Sequence, residues 1–258
     1  MKIVAIVSAK GGVGKTTVTA NLATALAHAG RAVLTVDLDP QNALRLHFGL
    51  DPHGVGGSSR ATLAGSDWRA ECVVSRGGIV VLPYGLVNED DRRRFEQRLD
   101  AEPRWLADQL ESLELHHDAI VLLDTPPGPS VYLRHALTLA DIAVNVTLAD
   151  AASYATLPMT ENLVHSYCAG RPGFGGHFHL INQTDGSRQL AVDVVEVMRQ
   201  RFGDRVLATV HRDQAVGEAL AYDSSALDYA PDSQAAADFR AAAAAVLRRL
   251  DRHPEGSR

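Results

Sequence analysis

Lysine is nearly missing from this chain. There are three, Lys2, Lys10 and Lys15, against 22 arginines, and none follows position 15. A chain rich in Ala, Arg and Gly reflects genome base composition, which explains the scarcity but not where the survivors sit. Cysteine is scarce too. Cys72 and Cys168 form neither a disulfide framework nor a metal-ligand pair at usual spacing, and a reducing cytoplasm fits them. No apolar run reaches transmembrane length. The first nine residues are apolar but too short for a signal peptide, and they lead into glycines instead of a cleavage site. Any membrane contact is therefore expected to be peripheral. Basic charge is not in excess: the net charge of −6 argues against a DNA-coating surface, although a local basic patch is compatible with it.

What is present is the composition of a soluble globular protein, with 46% hydrophobic and 22% charged residues over 258 positions, enough for one sizeable core. Short apolar runs alternate with longer amphipathic ones. Strands are expected at 2–8, 32–37, 79–85, 119–124, 142–148, 178–182 and 206–211. Most are too apolar to have a wet face, as parallel strands covered on both sides are. Helices are expected at 16–29, 41–48, 89–113 with a break at Pro103, 131–139, 152–168, 187–202, 213–221 and 232–251. Residues 51–60, DPHGVGGSSR, read as a Gly/Ser-rich loop. This β–α alternation predicts a doubly wound, mostly parallel α/β sheet with helices on both faces. It reads as a single domain over 1–252, followed by a flexible tail at 253–258.

The two lysines belong to KGGVGKTT, which follows the first expected strand and opens the first expected helix. That is the context a phosphate-binding P-loop requires. Lysine is a compact point charge on a flexible stem and fits a tight loop where the broad arginine fork does not. Gly11, Gly12 and Gly14, with Val13 among them, let successive backbone N–H groups face one concavity. The helix starting near Thr16 adds the positive end of its dipole. Lys15 would reach the β- and γ-phosphates of a nucleotide, the Thr16 hydroxyl would sit on Mg²⁺, and Thr17 would donate to the α-phosphate. The plain alternative is a glycine turn between strand and helix.

Carboxylates cluster where ligands bind in open α/β sheets, beyond the carboxyl ends of the strands. Asp37, Asp39 and Gln41 follow the second expected strand, DTPPG (Asp124–Gly128) the fourth, and Asn182 the sixth. Mg²⁺ keeps several waters, so one carboxylate acting through water suffices, and Asp124 fits that role. Gly128 would offer a backbone N–H to the γ-phosphate, making 124–130 a switch loop. Asn182 carries a donor and an acceptor that could read an adenine edge. An Asp at a strand end is also often a helix cap, and an Asn before Gln and Thr can be a plain turn. His177 and His179 share a strand face and could bind metal, but no third ligand is evident.

The loop has Ala9 where a P-loop usually has its first glycine, and it carries a second lysine, Lys10. In both respects it resembles the deviant P-loop of the ParA/MinD ATPases, over about residues 2–250. The resemblance implies a P-loop NTPase of the SIMIBI type that binds ATP, ADP and Mg²⁺ and hydrolyses ATP slowly. It implies that Lys10 crosses the interface of an ATP-bridged homodimer to the partner's nucleotide while Lys15 works in cis. It also implies that Asp39 orients the attacking water, that Asp37 supports the magnesium shell, and that the loop carrying Arg212 lies over the base or ribose. The stretches 39–51, 61–71, 80–85 and 211–221 further resemble the BcsQ (YhjQ) branch from bacterial cellulose-synthesis operons. That branch implies a cytoplasmic accessory of the cellulose synthase complex, peripheral to the inner membrane through its partners.

Rival branches leave marks that can be sought. A ParA-type partition protein would bind DNA, and Arg92–Arg94, Arg98 and Arg104 could serve. Glu89, Asp90, Asp91 and Glu96 surround them, as on a solvated helix laced with i,i+4 pairs. A MinD-type protein ends in a basic amphipathic membrane helix, whereas DFRAAAAAVLRRLDRH offers an apolar face made mostly of alanine. An iron–sulfur reductase needs cysteine near the switch loop, and 124–130 has none. A nucleotide-gated scaffold without turnover reads identically in sequence.

Overall fold

The structure, a computed structural model, describes residues 1–251. The tail expected at 253–258 lies outside them. The strands are β1 (Lys2–Val7), β2 (Val33–Asp37), β3 (Val73–Val74), β4 (Val80–Leu82), β5 (Ile120–Asp124), β6 (Ile142–Leu148), β7 (His177–Thr184) and β8 (Val206–His211). The helices are α1 (Lys15–His28), α2 (Ser58–Ala64), α3 (Glu89–Ala101), α4 (Trp105–Ser112), α5 (Val131–Leu139), α6 (Ala151–Cys168), α7 (Gln189–Phe202), α8 (Gln214–Ala221), α9 (Ala226–Tyr229) and α10 (Gln234–Asp251). Short 3₁₀ turns cover Leu44–Phe48, Trp68–Glu71 and Gly203–Arg205.

The strands form one sheet in the order β3-β4-β2-β5-β1-β6-β7-β8, parallel except for the β3–β4 pair. β1 is central, paired with β5 on one side and β6 on the other. Chain connections diverge there, which opens a crevice at its carboxyl end. Strand alternation distributes β1 between two cores. Val4 and Ile6 face α1 and α10, where Leu22, Leu26, Phe239 and Val246 are buried. Ile3, Ala5 and Val7 face α3 to α6, among Phe95, Trp105, Tyr132 and Val164. The expected doubly wound α/β architecture is therefore the one the chain adopts.

Helix boundaries follow their caps. Asn88 accepts the Asp91 N–H at the start of α3, which then carries three acids in its first turn. The expected break at Pro103 separates α3 from α4. Arginines on this stretch are paired as expected: Arg92 with Glu89 and Glu96 at 2.8 and 2.6 Å, Arg98 with Glu102 at 3.0 Å, Arg104 with Asp108 at 3.2 Å. The apolar face of α10 is packed into the core through Ala235, Phe239, Ala242, Val246 and Leu250.

Three expectations need correction. The helix expected at 41–48 is a 3₁₀ turn starting at Leu44, because Asp39 accepts the Gln41 N–H and Asn42 takes a left-handed φ of 51°. The loop expected at 51–60 gives way to α2 at Ser58. There the Ser58 and Ser59 N–H groups donate to the Pro83 and Tyr84 carbonyls, an approach that only Gly57 permits, since a Cβ there would lie 2.4 Å from the Gly85 nitrogen. The strand expected at 79–85 shortens to Val80–Leu82, and the two-residue β3 beside it went unforeseen.

Candidate functional site

The crevice beyond β1 holds most of the marked residues. Lys15 begins α1 directly after Gly14, whose φ of 81° makes it a left-handed N-cap without a side chain. A Cβ on Gly14 would fall 2.5 Å from Asn182 Nδ2, so glycine is required here for both dihedral and space. Gly12 is also left-handed, at 77°, while Gly11 packs near Pro127. The first turn of α1 contains no acid, so nothing on the helix itself neutralises its positive end. Thr16 and Thr17 are half-buried in that turn, and Val13 is buried beneath the loop.

Lys15 is 6% exposed, and its Nζ lies 3.6 Å from Asp124 Oδ1. Asp124 is fully buried at the end of β5, and Thr19 Oγ1 lies 3.2 Å from the same oxygen. Asp124 Oδ2 is buried and has no hydrogen-bond partner among the described residues. Buried carboxylate oxygens rarely go unmatched. Such an oxygen would suit a hard, hydrated cation in both ligand type and charge.

The other carboxylates behave differently. Asp37 pairs in register with Asp124 but is wholly buried, and its two oxygens accept the Asp39 and Leu44 N–H groups at 2.9 and 3.1 Å. It caps the turn after β2, so any support it gives a magnesium shell would come through oxygens that already accept these N–H groups. Burial, together with the nearby Asp124, pushes its carboxyl well above the usual range. Asp39 is half-buried; its Oδ1 accepts the Gln41 N–H and its other oxygen accepts no hydrogen bond among the described residues. Burial raises its pKa against the opposing pull of the Gln41 N–H and Lys15. Among the described residues no three acidic, histidine or cysteine side chains converge as a metal cage. That applies to Asp37, Asp39 and Asp124, and also to the His177/His179 pair.

Two more of the expected residues make contacts within the chain. The Gly128 N–H, expected to be offered to the γ-phosphate, donates here to the Ser8 carbonyl at 2.9 Å. Its φ of 72° turns the 124–130 loop back onto the start of the phosphate loop. Asn182 is buried, and its Nδ2 donates to the Val13 carbonyl at 2.9 Å, so its amide braces the phosphate loop. Arg212 is exposed on the rim of a cavity of about 160 Å³ shared with Asp150, Gln183, Asp185 and Arg188.

Lys10 stands apart from its own loop. Its Nζ lies 4.0 Å from Asp150 Oδ1, and both side chains are about two-fifths exposed. Asp150 also caps α6 by accepting the Ser153 N–H at 2.6 Å. Burial opposes its ionisation, but the Ser153 bonds and Lys10 hold its carboxyl below the usual range. Sequence reading missed Asp150 and Thr19. Asp150 follows β6 as the marked carboxylates follow β2 and β5. Thr19 lies four residues beyond Lys15, on the same helix face.

Comparison with known proteins agrees with this geometry. The family model for cellulose biosynthesis protein BcsQ matches residues 1–247. The Salmonella typhimurium cellulose biosynthesis protein BcsQ is 30% identical over 237 residues, covering 92% of this chain and 90% of that protein. Chromosome-partitioning ATPase Soj of Thermus thermophilus is 30% identical over 257 residues, covering 96% of each. Among solved structures, the septum site-determining protein MinD of Pyrococcus horikoshii, complexed with Mg-ADP, matches with a TM-score of 0.75 at 27% identity and 99% coverage of both chains. With its deviant phosphate loop and buried Lys15–Asp124 pair, the chain belongs to the BcsQ family, a branch of the ParA/MinD-type ATPases.

Proposed function

We propose that this protein is an ATP-gated dimerisation switch with slow hydrolysis, serving as an accessory to bacterial cellulose synthesis. The observation that carries the nucleotide reading is Asp124. Its Oδ1 faces Lys15, while its Oδ2 is buried and without a hydrogen-bond partner among the described residues, beside an N-terminal helix end free of acids. ATP is the substrate. Lys15 and the N–H groups of residues 11–17 hold its phosphates, and Asn182 and Arg212 lie on the base side. Mg²⁺, held by Thr16 and through water by Asp124, would supply charge neutralisation across the β- and γ-phosphates. Asp39 has one carboxylate oxygen left to orient a water, and its raised pKa suits a group that takes up a proton. Lys10 acts on the nucleotide of a second copy. The Gly128 N–H leaves Ser8 when a γ-phosphate is present. The cellulose role rests on family membership, and the synthase subunits are the proposed partners at the inner face of the membrane.

Asp39→Ala should bind ATP within about threefold of wild type, roughly 0.7 kcal/mol, and lose nearly all hydrolysis. Calorimetry and phosphate release measure the two separately. Hydrolysis at the wild-type rate in this variant would remove Asp39 from the mechanism.

A further inference from the structure

A cavity of about 460 Å³ lies at the end of β7 and β8 remote from the phosphate loop. Its walls include Glu161, Asn162, His165 and Cys168 of α6, His177 at the start of β7, and Arg205 just before β8. His177 Nε2 is buried and has no hydrogen-bond partner among the described residues. Behind it His179 is fully buried, its ring 4.7 Å from His177 and 4.1 Å from Phe202. Arg205 is exposed, lies over the Phe202 ring at 5.1 Å, and has no carboxylate partner among the described residues. The acid in the wall, Glu161, is already paired with Arg201 at 2.9 Å. The Cys168 thiol donates to the Leu137 carbonyl, and no metal-binding trio is present among the described residues. The cavity is therefore lined by an unbalanced guanidinium and by a histidine whose buried Nε2 has no hydrogen-bond partner among the described residues. Burial, reinforced by Arg205, pushes His177 down to about 4. At neutral pH it is an uncharged ring whose Nε2–H can donate.

We propose that this cavity binds a small oxyanion, a carboxylate or phosphate group held between the Arg205 guanidinium and the His177 imidazole. It is separate from the nucleotide site. His177 and Asn182 lie five residues apart on β7, about 17 Å along the strand. An oxyanion satisfies the buried nitrogen and the unpaired charge together, which neither a cation nor an apolar group does.

The test follows the imidazole resonances of the whole protein by NMR, with Mg-ADP added to occupy the phosphate loop. Acetate and inorganic phosphate are titrated separately, with ionic strength held constant by chloride. The proposal expects a saturable shift of His177 with at least one anion, and whichever saturates identifies the source chemistry. Arg205→Gln, an exposed change with little bearing on folding, should weaken that binding at least tenfold, and Arg205→Lys should restore part of it. Shifts that never saturate, or an Arg205→Gln titration equal to wild type, would overturn it.

Discussion

Gly14 is the position in the phosphate loop where an added methyl group meets both a strained dihedral and a filled space. It combines a left-handed φ of 81° with a space that Asn182 Nδ2 already fills, 2.5 Å from any added Cβ. Gly14→Ala should therefore cost on the order of 2 kcal/mol in stability and push Asn182 off the Val13 carbonyl. Urea midpoints and ATP titration check this; a variant that unfolds and binds ATP like wild type would show that the loop tolerates side chains. At this scale much of the site was legible. Glycines, two isolated lysines and strand-end acids marked it, because backbone freedom and charge placement belong to residue types. What was not legible is how those groups are used. Sequence placed Asp37 and Asp124 alike at strand ends, yet backbone N–H groups cover both oxygens of Asp37, whereas the Thr19 and Lys15 side chains meet one oxygen of Asp124 and the other has no hydrogen-bond partner among the described residues. The partner of the Gly128 N–H likewise depends on how two loops pack.

Among the elements, β7 carries two histidines whose charged forms burial disfavours strongly. Burial pushes His179 down to about 3 and His177 to about 4, with Arg205 acting on both and Arg201 on His179. His47, in the 3₁₀ turn after β2, is likewise held at about 4 by burial. These values lie below the ordinary 6.5, so the stability they contribute is complete above that pH. It is lost as the pH falls from 6.5 toward 4. Asp37, raised chiefly by burial, acts in the opposite sense, gaining stability as the pH falls toward the ordinary carboxylate range. A direct comparison isolates the histidine contribution. Between pH 7.5 and 4.5, His179→Phe should lose less stability than wild type by on the order of 2 kcal/mol. Equal losses in urea denaturation would mean that His179 protonates freely in the folded state. Long elements were legible from sequence because periodicity and Pro103 define them. α2 and β3 were not, since a pair of serines and a pair of valines carry no period; close packing at Gly57 and pairing with β4 create them.

On the scale of the whole molecule, the C-terminal helix and the first loop matter most. The apolar face of α10 is already buried against the core, and no helix among the described residues is long and apolar enough to cross a membrane. Bare anionic vesicles should therefore leave the ATP-loaded protein in the supernatant, whereas membranes carrying the cellulose synthase complex should sediment it. Strong pelleting with lipid alone would contradict the partner-dependent reading.

Lys10 reaches Asp150 at 4.0 Å and is exposed enough to meet a second copy. If it acts across an interface, the cis contacts of Lys15 survive its loss while two facing triphosphates lack their cross-interface cations. The central claim is tested most directly by the solution mass of wild type and Lys10→Ala, each saturated with a non-hydrolysable ATP analogue or with ADP. The account predicts a wild-type dimer with the analogue, a monomer with ADP, and a Lys10→Ala protein that binds the analogue yet stays monomeric. A wild type that remains monomeric with the analogue bound, or a Lys10→Ala protein that dimerises normally, would contradict it.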